Sequence, residues 1–154
     1  MFWVATASVS LFSALLFFAM KLGSTLIKFA LTAGLLTGWL ALDDAFLLHE
    51  TVLPSLGVPQ NAVLAVYVVL TLSYLMASWR VVLNSDFWLL LVGGSALVIS
   101  LAVDTVFHSL NPMLVLLEDS AKFFGIVCWA SFHITTLARI LVFPNRNNLS
   151  LRQQ

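Results

Sequence analysis

Four side chains that can bind a metal ion or move a proton lie in one short stretch, LALDDAFLLHE (residues 40–50). They are Asp43, Asp44, His49 and Glu50. Carboxylates and imidazoles are ligands for zinc, iron and manganese, and the same groups serve as general acids and bases. The two aspartates directly follow the apolar run FALTAGLLTGWLAL. A charge near the bilayer centre costs about 2.5–3.5 kcal/mol, so such residues normally face a protein interior and have a partner or a function.

Two later segments carry further ionisable residues. Asp104 and His108 are four positions apart, and this spacing places them on one face of a helix. Glu118 and Lys122 have the same spacing, in the acid-before-base order that stabilises a helix, and Asp119 lies beside Glu118. Asp104 and His108 can therefore bind one ion or hydrogen-bond each other. We expect the acids of all three segments to meet in one shared outer cavity, because an isolated carboxylate would face lipid.

Helical spacing also indicates how these segments pack. Asp43 and Glu50 are seven positions apart and are predicted to share a helix face, whereas Asp44 points toward a neighbouring face that carries small residues. Small residues let two membrane helices approach closely. Two such stripes are present: Ala30, Gly34, Gly38 and Ala41 in one segment, and Gly93, Gly94, Ser95 and Ala96 in another.

The composition indicates a membrane protein. Hydrophobic residues make up 61% of the 154 positions, charged residues make up 9%, and the mean hydropathy is +1.03. Soluble domains carry roughly 25% charged residues, so a polytopic membrane protein is predicted. The net charge of zero excludes a broad basic surface for nucleic acid. The single cysteine, Cys128, cannot form an intrachain disulfide and is interpreted as a small buried hydrophobic residue.

Five apolar segments are each about as long as the ~20 residues that cross a bilayer. Proline and glycine in the 51–60 connection separate the second segment from the third, with Asn61 as a candidate N-cap, and Asn111-Pro112 precedes the fifth. The predicted fold is therefore all-α: a five-helix transmembrane bundle forming one integral-membrane domain over residues 1–154. Its predicted spans cover residues 2–20, 26–48, 62–83, 87–108 and 113–142.

The basic residues predict the orientation of this bundle. With five spans, every lysine and arginine near a helix end falls on one side of the membrane: Lys21, Lys28, Arg80, Arg139, Arg146 and Arg152. The positive-inside rule then places the N-terminus outside and the C-terminus in the cytoplasm. The expected location is a bacterial inner membrane or a similar energy-transducing membrane. In this topology the ionisable residues of the second, fourth and fifth spans all lie toward the outer side.

The carboxylates outnumber the one lysine that could neutralise them, which favours a metal site at the outer leaflet. The expected ion is zinc, iron, manganese or copper, and it would activate water or oxygen against a membrane lipid. Glu50 is the candidate catalytic base and Lys122 its electrostatic partner. The candidate metal ligands are Asp44, His49, Asp104, His108 and Glu118, with Asp43 and Asp119 as further candidates.

Other interpretations remain open at this stage. The polar residues could form a structural network, or part of a proton or ion pathway. The chain could also be a non-catalytic accessory subunit that contacts lipids, pigment or other membrane subunits.

His133 is too far along the fifth span to join the outer site, since the 15 residues of helix that separate it from Glu118 cover roughly 22 Å. It is predicted to be a hydrogen-bonded core histidine, with tetrapyrrole ligation as the alternative; a haem held by His49 and His108 is disfavoured by the surrounding acids.

Two blocks of the sequence resemble a known group of proteins. Asp43-Asp44-x4-His49-Glu50 is similar to a DE-x4-HE signature of small bacterial multi-pass membrane proteins, and LEDSAKFFGI (residues 117–126) is similar to their LEE-x2-K-x2-GI block. Here aspartate replaces glutamate at positions 44 and 119.

Asp104-Thr105-x2-His108 resembles a ligand-bearing helix in the C subunit of membrane copper monooxygenases. That resemblance implies copper at Asp104 and His108, although the next histidine lies farther along the chain than in that family. The combination of His, Asp and Ser at one membrane face is also similar to the chemistry of intramembrane hydrolases related to alkaline ceramidase.

Overall fold

The computed structural model describes residues 1–107 and 112–143, with the backbone alone at 105–107 and 112. His108, Arg146 and Arg152 lie outside the described residues, so the predictions that involve them have no structural counterpart here. The described chain is helical throughout, with short turns between its helices and no strands within these ranges. The predicted all-α class is therefore confirmed for the described residues.

Seven α-helices and one π-helical segment make up the described chain. Four of the helices are long and apolar enough to cross a membrane: α1, α2, α4 and α7, the last over Met113–Val142. The apolar part of α6, Trp88–Asp104, is shorter. The elements are α1 Phe2–Ala19, α2 Ser24–Phe46, the π segment Leu48–Val52, α3 Leu53–Ser55, α4 Gln60–Ala77, α5 Trp79–Leu83, α6 Trp88–Phe107 and α7 Pro112–Val142.

The predicted third span, residues 62–83, is divided into two helices at Ser78. Ser78 N–H donates to the carbonyl of Tyr74 (2.9 Å), while its own carbonyl accepts from Val81 (2.9 Å) and Val82 (3.0 Å). Ser78 therefore ends α4 and begins α5. The N-cap prediction for Asn61 is wrong, because α4 already begins at Gln60 after the extended Pro59.

Two helix pairs, α1 with α2 and α6 with α7, are the most closely packed, and α1 also packs on α7. Glycines permit both close approaches, as the small-residue stripes predict. A Cβ on Gly34 would lie 2.7 Å from the Leu11 side chain, and a Cβ on Gly93 would lie 2.6 Å from the Cβ of Cys128. Across the same crossing, a Cβ on Gly125 would lie 2.5 Å from Leu97. At both crossings an added Cβ would clash with the facing helix, so any larger residue would force the helices apart.

A hydrogen-bonded polar network lies inside the apolar core. Tyr74 Oη–H donates to Nε2 of His133 (2.8 Å), and Nδ1–H of His133 donates to the Trp129 carbonyl (2.8 Å). Trp129 Nε1–H in turn donates to Thr37 Oγ1 (3.0 Å). His133 is fully buried and both of its ring nitrogens have partners. The prediction of a hydrogen-bonded core histidine is confirmed, because the ring is buried and both nitrogens have hydrogen-bond partners.

Candidate functional site

The site is built at the end of α2, where the chain departs from regular α-helix geometry. Leu47 has left-handed backbone angles (φ 49°, ψ 45°) and ends the helix. This conformation costs a non-glycine residue about 1–2 kcal/mol. The π segment that follows folds His49 back over the last turn of α2, so that its N–H donates to Asp43 Oδ1 (3.0 Å). The prediction that Asp43 and Glu50 share a helix face is wrong, because α2 stops between them: Asp43 is buried and Glu50 is exposed.

Asp43 is the centre of a hydrogen-bonded group rather than a free acid. Its Oδ2 lies 2.5 Å from Nδ1 of His49, and its Oδ1 accepts from the hydroxyl of Tyr67 (2.7 Å) as well as from the His49 backbone. An ionised carboxylate only accepts hydrogen bonds, so the proton between Asp43 and the ring belongs on Nδ1. This arrangement fixes the orientation of the imidazole and leaves Nε2 available for chemistry.

Nε2 of His49 faces a second carboxylate. It lies 3.4 Å from Oε1 of Glu50. A neutral imidazole whose proton is on Nδ1 has a lone pair at Nε2, and an ionised Glu50 also offers only lone pairs. Two hydrogen-bond acceptors this close repel each other unless a proton or a cation lies between them. The pair is therefore suited to accept a proton or to bind a metal ion.

Lys122 forms an ion pair across two helices. Its Nζ lies 3.1 Å from Oδ1 of Asp44, which connects α7 to the end of α2. The helical spacing of Glu118 and Lys122 predicted a pair within α7, whereas the ion pair found is with Asp44. Both side chains are partly exposed, at 36% and 41%. An ion pair this exposed contributes roughly 0–1 kcal/mol to stability, so its main effect is to neutralise Asp44.

A cavity of about 390 Å³ brings these residues together with those of α6 and α7. Asp104 reaches it from α6, with Oδ2 3.4 Å from Nε2 of Gln60, and Glu118 reaches it from α7. The predicted meeting of acids from three helices is thus confirmed in geometry. We call this region the polar end of the cavity; its ionisable side chains are Asp43, Asp44, His49, Glu50, Asp104, Glu118 and Lys122.

Away from the polar end the cavity is lined mainly by apolar side chains. We call this part the apolar end: Leu72 and Leu75 from α4, Leu90 from α6 and Trp129 from α7. Between the two ends lie other leucines and valines with two polar residues, Thr71 and Ser100. The cavity therefore has the polarity of an amphiphile, with charge at one end and hydrocarbon at the other.

The predicted metal ligands are only partly assembled within the described residues. No group of three or more His, Cys, Asp or Glu side chains in residues 1–107 and 112–143 is arranged to hold a metal ion. Of the predicted set, His49, Asp104 and Glu118 line the cavity, as does Asp44 with its lysine partner. Asp119 is exposed and is not among the lining residues.

Sequence reasoning missed two residues of the site, Tyr67 and Gln60. Both belong to α4, which carries no charged residue: Tyr67 lies inside the predicted third span, and Gln60 ends the predicted 51–60 connection. One signal was present: Tyr67 and Tyr74 are seven positions apart and therefore share a helix face. In the structure, the two hydroxyls bind Asp43 and His133, so this face of α4 carries both polar contacts.

The family model described as "Domain of unknown function (DUF8692)" matches residues 1–136. The chain belongs to this family. No curated protein and no solved structure matches the chain. The DUF8692 match includes α1 to α6 and most of α7, and hence every residue that lines the cavity. The cavity is therefore part of the DUF8692 domain itself.

Proposed function

We propose that this DUF8692 protein is a membrane enzyme that binds a divalent metal ion at the polar end and hydrolyses a lipid there. The observation that carries the proposal is the pairing of His49 Nε2 with Glu50 Oε1 at 3.4 Å. Zinc ligands lie about 2.0–2.2 Å from the metal. Two such ligands at a tetrahedral angle are roughly 3.4 Å apart, so the pair has the separation that one ion requires.

The surroundings of His49 also suit a metal ligand. Imidazoles that bind metals commonly donate their other ring N–H to a carboxylate, which fixes the ring and raises its basicity. Asp43 accepts that bond, and Tyr67 and the His49 backbone hold Asp43 in place. Glu50 then becomes the second ligand in preference to the base assigned from the sequence. Further ligands would come from Asp104 and Glu118, which line the same cavity from α6 and α7.

His49 and Glu50 would hold the ion, which would supply a water molecule acidified to near neutral pH. That water would serve as the nucleophile for hydrolysis of a lipid ester or amide, in which the C–O or C–N bond would break and a proton would pass to the leaving alcohol or amine. Lys122, already paired with Asp44, remains an electrostatic partner of the site. In the predicted topology, with the N-terminus outside, the polar end faces the outer leaflet.

Metal analysis of protein purified without chelators tests this proposal. We expect about one zinc, iron, manganese or copper ion per chain in the wild type, and loss of that ion in His49→Ala and in Glu50→Ala. Asp86→Asn is the matched control, because Asp86 is an acid that pairs with Arg139 (2.8 Å) and does not line the cavity. It should retain the ion. Folded wild-type protein that takes up no divalent metal, even when metal is added, would show the proposal to be wrong.

A second candidate function is an accessory subunit of a membrane complex. The observation that favours it is the exposure of α4: 11% of its most apolar 18-residue window is buried, against 39% for α1 and α2 and 50% for α7. A neighbouring subunit could cover this helix. Purification in a mild detergent distinguishes the two functions, because a stoichiometric partner bound along α4 supports the accessory role and a monodisperse metal-loaded chain supports the enzyme.

A further inference from the structure

The length of the cavity is sufficient for a hydrocarbon chain. On α6 its lining runs from Leu90 to Asp104, and on α7 from Glu118 to Trp129. At 1.5 Å per residue these helical stretches cover roughly 16–21 Å. With a volume of about 390 Å³ over this length, the cavity accommodates an alkyl chain that lies along α6 and α7.

The charges at the polar end select the headgroup. Five acids line it, against one lysine that is already paired with Asp44 and one histidine that is paired with Asp43. Even with a divalent ion bound at His49 and Glu50, acidic groups outnumber positive charges. A phosphate or carboxylate headgroup would meet like charge without a free basic partner among the lining residues. A protonated amine would be attracted to the excess negative charge of the polar end.

The hydrocarbon tail contributes little to selectivity. A tail that leaves the bilayer for the apolar end exchanges one apolar environment for another, since lipid tails are as apolar as leucine. Affinity must then come from the headgroup, and the tail needs only to fit.

We propose that the cavity binds an amphiphile with a protonated amine headgroup, the amine at the polar end and a tail extending toward Trp129. This inference rests on the proposed function in that it names the substrate class of the same site. The expected substrate is a lipid that carries a free amine as well as an ester or amide bond, and a long-chain amine serves as its non-hydrolysable analogue. Fatty acids are excluded by the charge of the polar end.

Tryptophan quenching measures this binding directly, because Trp3 and Trp129 line the cavity. The protein is placed in phosphatidylcholine nanodiscs after its exposed tryptophans are replaced by phenylalanine: Trp39, Trp79 and Trp88. The probes are dodecylamine and dodecanoate, each with a bromine at the chain end. We expect saturable quenching by the amine, with an apparent Kd at least about tenfold lower than for the acid, because like-charge contacts across an interface are strongly unfavourable.

Two neighbouring substitutions separate binding in the cavity from general quenching in the bilayer. Gly94 lines the cavity, and a Cβ there would have no atom within 4 Å, so Gly94→Leu projects a side chain into the empty space. Ser95 is exposed and does not line the cavity, so Ser95→Leu is the matched control. Saturable quenching should be lost in Gly94→Leu and retained in Ser95→Leu.

A charge substitution gives a second test should Gly94→Leu fail to fold. In the double variant Asp104→Asn and Glu118→Gln, the preference for amine over acid should fall toward parity while the protein keeps its other cavity residues. Equal affinity for amine and acid in the wild type, or saturable quenching that persists in folded Gly94→Leu, would overturn the inference. Titrations with EDTA and with added zinc distinguish the two proposals. Amine selectivity without metal uptake contradicts only the proposal of a metal-dependent hydrolase. Metal uptake without amine selectivity contradicts only the proposal of an amine-bearing ligand.

Discussion

Replacing Gly93 by alanine should loosen the contact between α6 and α7, and the structure gives the size of the effect. The new Cβ would lie 2.6 Å from the Cβ of Cys128 and 3.1 Å from the carbonyl oxygen of Gly125. Carbon atoms pack at ~3.5–4.0 Å, so the helices must separate by about 1 Å at this crossing. Overpacking of this kind costs roughly 1–3 kcal/mol. Alanine recovers about 0.8–1.0 kcal/mol through its helix propensity, which leaves a net loss of up to about 2 kcal/mol.

The neighbouring Gly94 provides the control for this substitution. A Cβ on Gly94 would have no atom within 4 Å, so Gly94→Ala gains helix propensity without a clash and should be neutral or up to about 1 kcal/mol stabilising. Unfolding by SDS in mixed micelles, followed by tryptophan fluorescence, measures both variants against the wild type. If Gly93→Ala were as stable as Gly94→Ala, the close approach of α6 and α7 at Gly93 would be refuted.

Two further predictions concern the polar contacts. Tyr67→Phe removes the hydroxyl that donates to Asp43 at 2.7 Å. A hydrogen bond to a charged group contributes about 1.5–3 kcal/mol, so the same unfolding assay should show a loss of that size in the free energy of unfolding. A loss below about 0.5 kcal/mol would argue against the contact. Asp86→Asn breaks an ion pair with Arg139 whose side chains are about half exposed, so it should cost less than about 1 kcal/mol, and a larger loss would mean that the pair is shielded from water.

Much of the helical architecture could be predicted from the sequence because apolar length and small residues depend on local composition. The runs that form α1, α2 and α7 and the glycine contacts at Gly34 and Gly93 follow from these features. The meeting of acids from three helices was also predictable, because each acid isolated in lipid would be costly. The cost of an isolated charge in lipid favours convergence of the acids but does not specify which partner each acid binds.

The individual partners could not be predicted because they depend on departures from regular helix geometry. The left-handed Leu47 ends α2 and turns His49 back onto Asp43, whereas continuous helical spacing paired Asp43 with Glu50. Lys122 similarly contacts Asp44 on another helix, because helix packing brings the two side chains within 3.1 Å. Tyr67 lies in an uncharged span, so the pattern of charges in the sequence gives no indication of its contact with Asp43.

The close pairing of α1 with α2 and of α6 with α7 has a consequence for the order of folding. Each pair joins helices that are neighbours in the chain, and contacts at short sequence separation close with little loss of entropy. The Asp43–His49 bond spans six residues and belongs to the same early class. By contrast, α4 has few close helix neighbours among the described residues. Its Tyr74 binds His133, which is 59 positions away in the chain, and its Tyr67 binds Asp43, which is 24 positions away. We expect two helical hairpins to form first and α4 to dock last, so that the cavity closes only in the final step of assembly.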